Sequence, residues 1–135
     1  MCLLDEVLEW DADRVLCRTE SHRAADNPLR AHGRLGSASA IEYAAQAVAV
    51  HGALLQSAAE QPPEPAPVHA GVLASVRGVQ LTVERLDDIE AALLVEVQRL
   101  HANAHSALYF FRVSTATHTP LAHGRLSLWL DQDSP

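Results

Sequence analysis

The chain has 135 residues, 48% of them apolar and 20% charged, with a mean hydropathy of −0.01. That is enough for one ordinary domain and too little for two. Seventeen acidic residues against ten basic ones give a formal charge of −7, and every basic residue is arginine. This excludes a general nucleic-acid binder, which needs a basic surface to displace counterions, and any chemistry run through a Schiff-base or P-loop lysine.

Residues 3–10 and 14–22 form two short runs around Asp11-Ala12-Asp13, the pattern of a β-hairpin. Acids interrupt the apolar residues of the first run and no basic residue precedes them, so the start reads as no signal peptide. No apolar run anywhere approaches the ~20 residues that span a bilayer, and the expected compartment is the cytoplasm. Cys2 and Cys17 make neither a disulfide framework nor a zinc signature, and are expected to be small apolar side chains in a reducing environment. In the second run Val15 and Cys17 alternate with Arg14, Leu16 and Arg18, as in a half-buried strand.

Residues 23–37 carry Pro28, Gly33 and Gly36 and are the most polar and basic stretch, so they predict a loop. Helix is expected from Ala38 to about Ala59: Ser37 or Ser39 is a capping residue, and the interior is rich in alanine. Ile41, Ala45, Val48, Gly52 and Leu55 recur at three- and four-residue spacing and predict one buried stripe. The other faces are nearly as apolar, which predicts a helix covered on most sides.

The Pro-rich segment 60–67 is incompatible with helix or central strand and reads as a stiff connector. Strands are predicted at roughly 70–84, 89–101, 106–116 and 121–130, joined by short links at Asn103 and 117–119, with 89–101 also compatible with a helix. Ile89, Ala91, Leu93, Val95 and Val97 alternate with polar residues, as do Leu126, Leu128 and Leu130. Consecutive strands with short connections argue for an α+β domain over 1–135: a curved antiparallel sheet wrapped around one long central helix, the hotdog fold.

Ile41-Glu42-Tyr43-Ala44-Ala45-Gln46-Ala47 resembles the helix motif Leu-Glu-x-x-Ala-Gln-Ala of 3-hydroxyacyl-acyl-carrier-protein dehydratases. The opening Leu-Leu-Asp-Glu-Val-Leu-Glu-Trp is similar to their first strand, and Asn27-Pro28-Leu29 stands where their loop begins. The style is closest to the dehydratase-like subunits of aryl polyene and type II polyketide clusters. The resemblance implies elimination of water from a carrier-bound 3-hydroxyacyl thioester in fatty acid, aryl polyene or polyketide biosynthesis. It implies no metal and no diffusible cofactor, since the substrate rides on the phosphopantetheine arm of an acyl carrier protein. It also implies pairing with a second hotdog subunit, as a homodimer or heterodimer. The two alternatives are a non-catalytic hotdog subunit of a heteromeric dehydratase and a hotdog acyl thioesterase.

Such an elimination needs a base for the C2 proton and an acid for the departing hydroxyl. Glu42, one turn into the helix, is the expected acid, kept protonated by burial. The family's His-Phe-Pro-Gly is absent; the nearest histidine is His32, ten residues before Glu42 in a glycine-flanked loop, and it is the expected base. The alternative for His32 is an exposed loop histidine, and His22, which closes the preceding strand, is the reserve. Gly36, Ser37 and Gln46 are the expected substrate-binding residues, through helix N-terminal amides and a side chain one turn beyond Glu42. His51 falls about 180° around the helix from Glu42 and is expected to pack elsewhere. Arg23, Arg30 and Arg34 concentrate positive charge on an acidic chain and are the expected contacts for an acidic carrier; otherwise they form a solvated face.

Overall fold

A computed structural model describes residues 3–58 and 71–130, so the 60–67 connector and Cys2 lie outside the described residues. The elements run β1 (Glu6–Trp10), β2 (Arg14–Thr19), a 3-10 turn (Ser21–Arg23), a second 3-10 turn (Ser37–Ser39), α1 (Ala40–Ala58), β3 (Gly71–Leu81), β4 (Leu93–Ala102), β5 (Ser106–Thr115) and β6 (Pro120–Leu130). The strands form one sheet in the order β1-β2-β4-β5-β6-β3, with every neighbouring pair antiparallel. The expected hairpin, loop, helix and four-strand series are all present in that order.

The sheet has an inner and an outer face. Val15, Cys17, Val95, Val97, Phe111, Val113, Ala122 and Leu126 point inward, and Tyr43, Ala44, Ala47 and Val48 of α1 pack onto them. Alanine at seven of the 19 positions of α1 lets the helix lie close to β2, β4 and β5, and each enclosed large side chain contributes about 1.5–3 kcal/mol. Burial pushes the Cys17 thiol up to about 11, so it acts as a small apolar side chain.

The helix stripe differs from expectation. The buried residues are Ala40, Tyr43, Ala44, Ala47, Val48 and His51, whereas Gly52 is exposed and Ile41, Ala45 and Leu55 are half-buried. A helix that is apolar all round offers periodicity no contrast, and the large Tyr43 ring takes the inward position. The opposite face, with Glu42, Ala49, Gly52 and Ala53, is uncovered in the single chain. Strand β4 begins at Leu93 rather than at residue 89. Ile89 and Ala92 instead make turn contacts, with the Ile89 N–H donating to Leu86 and the Ala92 carbonyl accepting from Ala116.

The β1–β2 turn is fastened from three directions. The Asp11 side chain accepts the Asp13 and Arg14 amides at 2.8 and 3.0 Å. The Asp11 carbonyl accepts His51 Nε2–H at 2.9 Å, which makes Nδ1 the acceptor for the Tyr109 hydroxyl at 2.7 Å. The Ala12 and Asp13 carbonyls accept the Arg99 guanidinium and amide. His51 is thus a fully enclosed structural histidine, on the side of α1 opposite Glu42.

Candidate functional site

The loop before α1 is built over a buried polar cluster that the sequence did not announce. The Tyr43 hydroxyl meets Ser21 Oγ at 2.7 Å and accepts Asn27 Nδ2–H at 3.1 Å. Ser21 Oγ and Thr19 Oγ1 both donate to the Leu3 carbonyl, at 2.6 and 2.5 Å. Asn27 also donates to the Ser21 carbonyl and accepts the Leu29 amide at 2.9 Å, an Asx turn that starts the loop. Burial raises the Tyr43 hydroxyl above its ordinary range, so it stays protonated. Asn-Pro-Leu was the one available signal for this cluster, since an asparagine before proline marks a turn.

Asp87 anchors the far end of the loop. Its carboxylate accepts the Leu35 amide at 2.9 Å, pairs with Arg85, and has Arg30 Nη1 at 3.7 Å. The Arg85 guanidinium holds that carboxyl well below the usual carboxylate range. Gly36 bridges to Arg85, and the Ser37 amide donates to the Glu84 carbonyl at 3.0 Å. The start of α1 is thereby tied to the segment between β3 and β4.

Within this frame the expected residues separate. Glu42 is exposed on the single chain, which corrects the expectation of burial: it projects from the face of α1 that the sheet leaves uncovered. His32 is also exposed. It has φ 54° and Gly33 has φ 75°, and the Ala31 and Arg34 backbones bond to each other at 2.8 and 3.0 Å. These two residues are the tip of a tight two-residue turn of the kind that requires positive φ at both positions. Gln46 Oε1 accepts the Leu3 amide at 2.8 Å and so fastens the N-terminal segment to α1. Gly36 is exposed, whereas Ser37 is buried and its amide is already committed to Glu84.

The three loop arginines also differ. Arg30 is spent internally, donating to the Ala24, Gly33 and Arg23 carbonyls at 2.7, 3.1 and 3.2 Å. Arg23 reaches only the Glu90 carbonyl, at 3.4 Å, and Arg34 is exposed. His22 is enclosed: Nε2–H donates to the Ile89 carbonyl at 2.9 Å, and among the described residues Nδ1 lies within hydrogen-bond distance and angle of no partner. Burial lowers its pKa, so it is held uncharged. Among the described residues no group of three or more His, Cys, Asp or Glu is placed to hold a metal ion, and no helix is long and apolar enough to cross a membrane.

A six-stranded antiparallel sheet with one long helix on its inner face is the hotdog fold, and solved structures match it along nearly the whole chain. The dehydratase heterocomplex ApeI:P from Xenorhabdus doucetiae superposes with a TM-score of 0.83 at 21% identity, covering 98% of this chain and 84% of that one. A hypothetical thioesterase with coenzyme A from Streptococcus pneumoniae gives 0.65 at 11% identity, covering 96% and 88%. Zebra fish thioesterase superfamily member 2 gives 0.62 at 16% identity, covering 93% and 80%. A search of curated proteins found no match. The family model for ApeP-like proteins, described as ApeP dehydratase, matches residues 1–134. The chain belongs to the ApeP-like dehydratase family and is a dehydratase-like hotdog protein.

Proposed function

We propose that this chain takes part in eliminating water from a 3-hydroxyacyl thioester borne by an acyl carrier protein, in fatty acid, aryl polyene or polyketide assembly. In this reading Glu42 supplies the acid in a site completed by a second hotdog subunit. The observation that carries the reading is the position of Glu42: it stands within the family's helix motif, on the one face of α1 that its own sheet leaves open. A subunit laid on that face would exclude water from the carboxyl, the condition under which it can deliver a proton. The base removes the C2 proton, the C3–O bond breaks, and Glu42 protonates the departing hydroxyl, which leaves as water. The base is His32, if the partner folds the 31–34 turn inward, or a histidine of the partner. His22, enclosed and bonded to Ile89, positions the loop.

A partner built like this chain is supported by the ApeI:P neighbour, a heterocomplex by its own description. Arg23 and Arg34 remain the loop cations free to meet an acidic carrier. The substrate would arrive on the carrier's phosphopantetheine arm, with no other cofactor. A non-catalytic role beside an active partner is the second reading, favoured by the solvent-facing His32.

The experiment is turnover of a 3-hydroxyacyl-carrier substrate by the assembled complex, followed by mass spectrometry. Glu42→Gln should lower the rate of water loss by roughly 10²–10⁴-fold with the fold intact, because among the described residues the exposed Glu42 side chain makes no hydrogen bond or ion pair. His32→Ala should match that loss only if His32 is the base. Unchanged turnover in both variants would assign the chemistry to the partner, and loss of the acyl group in place of water would make the protein a thioesterase.

A further inference from the structure

The outer face of the sheet carries a cationic hollow on the side away from α1. In the strand register Arg77 of β3 stands opposite Arg125 of β6, which stands opposite Phe110 of β5. One row along, Gln80, His123 and Arg112 are aligned in the same way. Arg77, Gly78, Phe110, His123, Gly124 and Arg125 line a cavity of about 490 Å³. The Phe110 and His123 rings lie 6.3 Å apart, tilted by 33°, and the Arg112 guanidinium sits 5.5 Å from the Phe110 centroid.

Two features make this more than a solvated patch. Like charges directly opposite on neighbouring strands destabilise a sheet, yet the Arg77–Arg125 pair sits in a chain with seven more acids than bases. Among the described residues Arg14, Arg18, Arg30 and Arg85 have carboxylate partners, and Arg23 and Arg99 donate to backbone carbonyls; Arg77, Arg112 and Arg125, like the loop residue Arg34, have neither. The acid nearest in register, Glu96 opposite Arg112, is occupied by Arg14 at 3.0 Å. The backbone also shapes the hollow. Gly78 has φ 60° at the irregularity between Arg77 and Gln80 and leaves open space where a side chain would stand.

We infer that this hollow is an oxyanion site that takes the phosphate group of a phosphorylated small molecule. Arg77 and Arg125 line the hollow from adjacent strands, and the several oxygens of a phosphate can satisfy two guanidinium forks at once. His123 adds a third donor, and the Phe110 ring offers a flat apolar wall to the rest of the ligand. The site lies on the opposite face of the sheet from Glu42 and does not depend on the dehydratase reading.

The test is titration of the full chain, at low ionic strength, with inorganic phosphate, adenosine 3′-monophosphate and 4′-phosphopantetheine, read by calorimetry and by the His123 and Phe110 ring signals in NMR. The expected result is saturable binding of at least one probe, with shifts centred on those two rings. The double variant R77Q/R125Q should weaken it by about ten- to a hundredfold, the worth of the charged hydrogen bonds removed. R18Q, which removes a carboxylate-paired arginine, should bind as the wild type does. Tighter binding of one ester than of inorganic phosphate names the source of the phosphate, equal binding of all three shows that the phosphate group alone is recognised, and binding of inorganic phosphate with exclusion of both esters would overturn the assignment to a phosphorylated small molecule. Circular dichroism checks that the variants fold, with R125Q alone as the milder substitution. Absence of saturable binding by every probe, or equal weakening by R18Q, would overturn the inference.

Discussion

The two halves of the sheet's outer face use the same side chain in opposite ways. On the β1–β2–β4 half, Arg14 lies between Glu9 and Glu96 at 2.9 and 3.0 Å, and Arg18 between Glu6 and Glu20 at 3.5 and 3.2 Å. On the β3–β6–β5 half, Arg77, Arg112 and Arg125 stand together without an acid among the described residues. The chain's abundant carboxylates could have served both halves. Pairing on one side reads as stability, and its absence on the other reads as a surface kept available for an anion.

Four experiments sharpen or break that contrast, and the largest effect is expected at the most enclosed pair. Asp87 has a side chain only 6% exposed and collects Arg85, Arg30 and the Leu35 amide. Asp87→Ala should give the greatest fall in Tm of the set, because two guanidiniums and an amide lose their acceptor together. Its carboxyl is held below the ordinary range, so its contribution is present above pH about 3.8 and is lost as pH falls through that region and below it. The Tm of the wild type should therefore drop more steeply than that of Asp87→Asn on acidification, and equal slopes would show the clamp to be dispensable.

His22 is an intermediate case, a titratable ring half satisfied and fully enclosed. Its folded pKa lies below its ordinary value near 6.5, so the unfolded chain binds the proton more readily. Stability from this residue is complete above that value and declines as pH falls below it. Denaturant midpoints at pH 7.5 and 5.5 should differ more for the wild type than for His22→Gln.

Smaller effects are expected on the outer face. Arg14→Ala should cost about 0.5–1 kcal/mol in chemical denaturation, the usual worth of exposed ion pairs. Arg125→Ala should lie within about 0.5 kcal/mol of the wild type, on the stabilising side, because it relieves a like-charge pair. A loss at Arg125 as large as that at Arg14 would erase the distinction between the halves.

Element order was legible because the strands alternate cleanly: Leu93, Val95 and Val97, then Leu126 and Leu128, turn inward as read. The facing of α1 was not, since alanine on every side leaves the hydrophobic pattern flat. The candidate site was legible at Glu42, through its motif, and much less so around it. Gln46, Arg30 and Ser37 take their partners from Leu3, Ala24 and Glu84, contacts that only the folded chain creates. The Thr19–Ser21–Asn27–Tyr43 cluster was hidden for the same reason, as its members are ordinary polar residues until the loop closes over α1.

The Asp11–Asp13 turn, joined to α1 through His51 and to β4 through Arg99, has a practical consequence for anyone cutting or extending this chain. Surface tips are normally the places where a protease nicks and where inserted sequence is tolerated. Here the carbonyls of Asp11, Ala12 and Asp13 are all taken by groups from other elements, so a tag or a permuted terminus at Ala12 would loosen the turn from the middle of α1 and from β4 together. The His32-Gly33 turn is bonded almost wholly within residues 30–34. It is the tip at which new sequence can enter with the rest of the fold undisturbed, at the loss of the base if His32 supplies it.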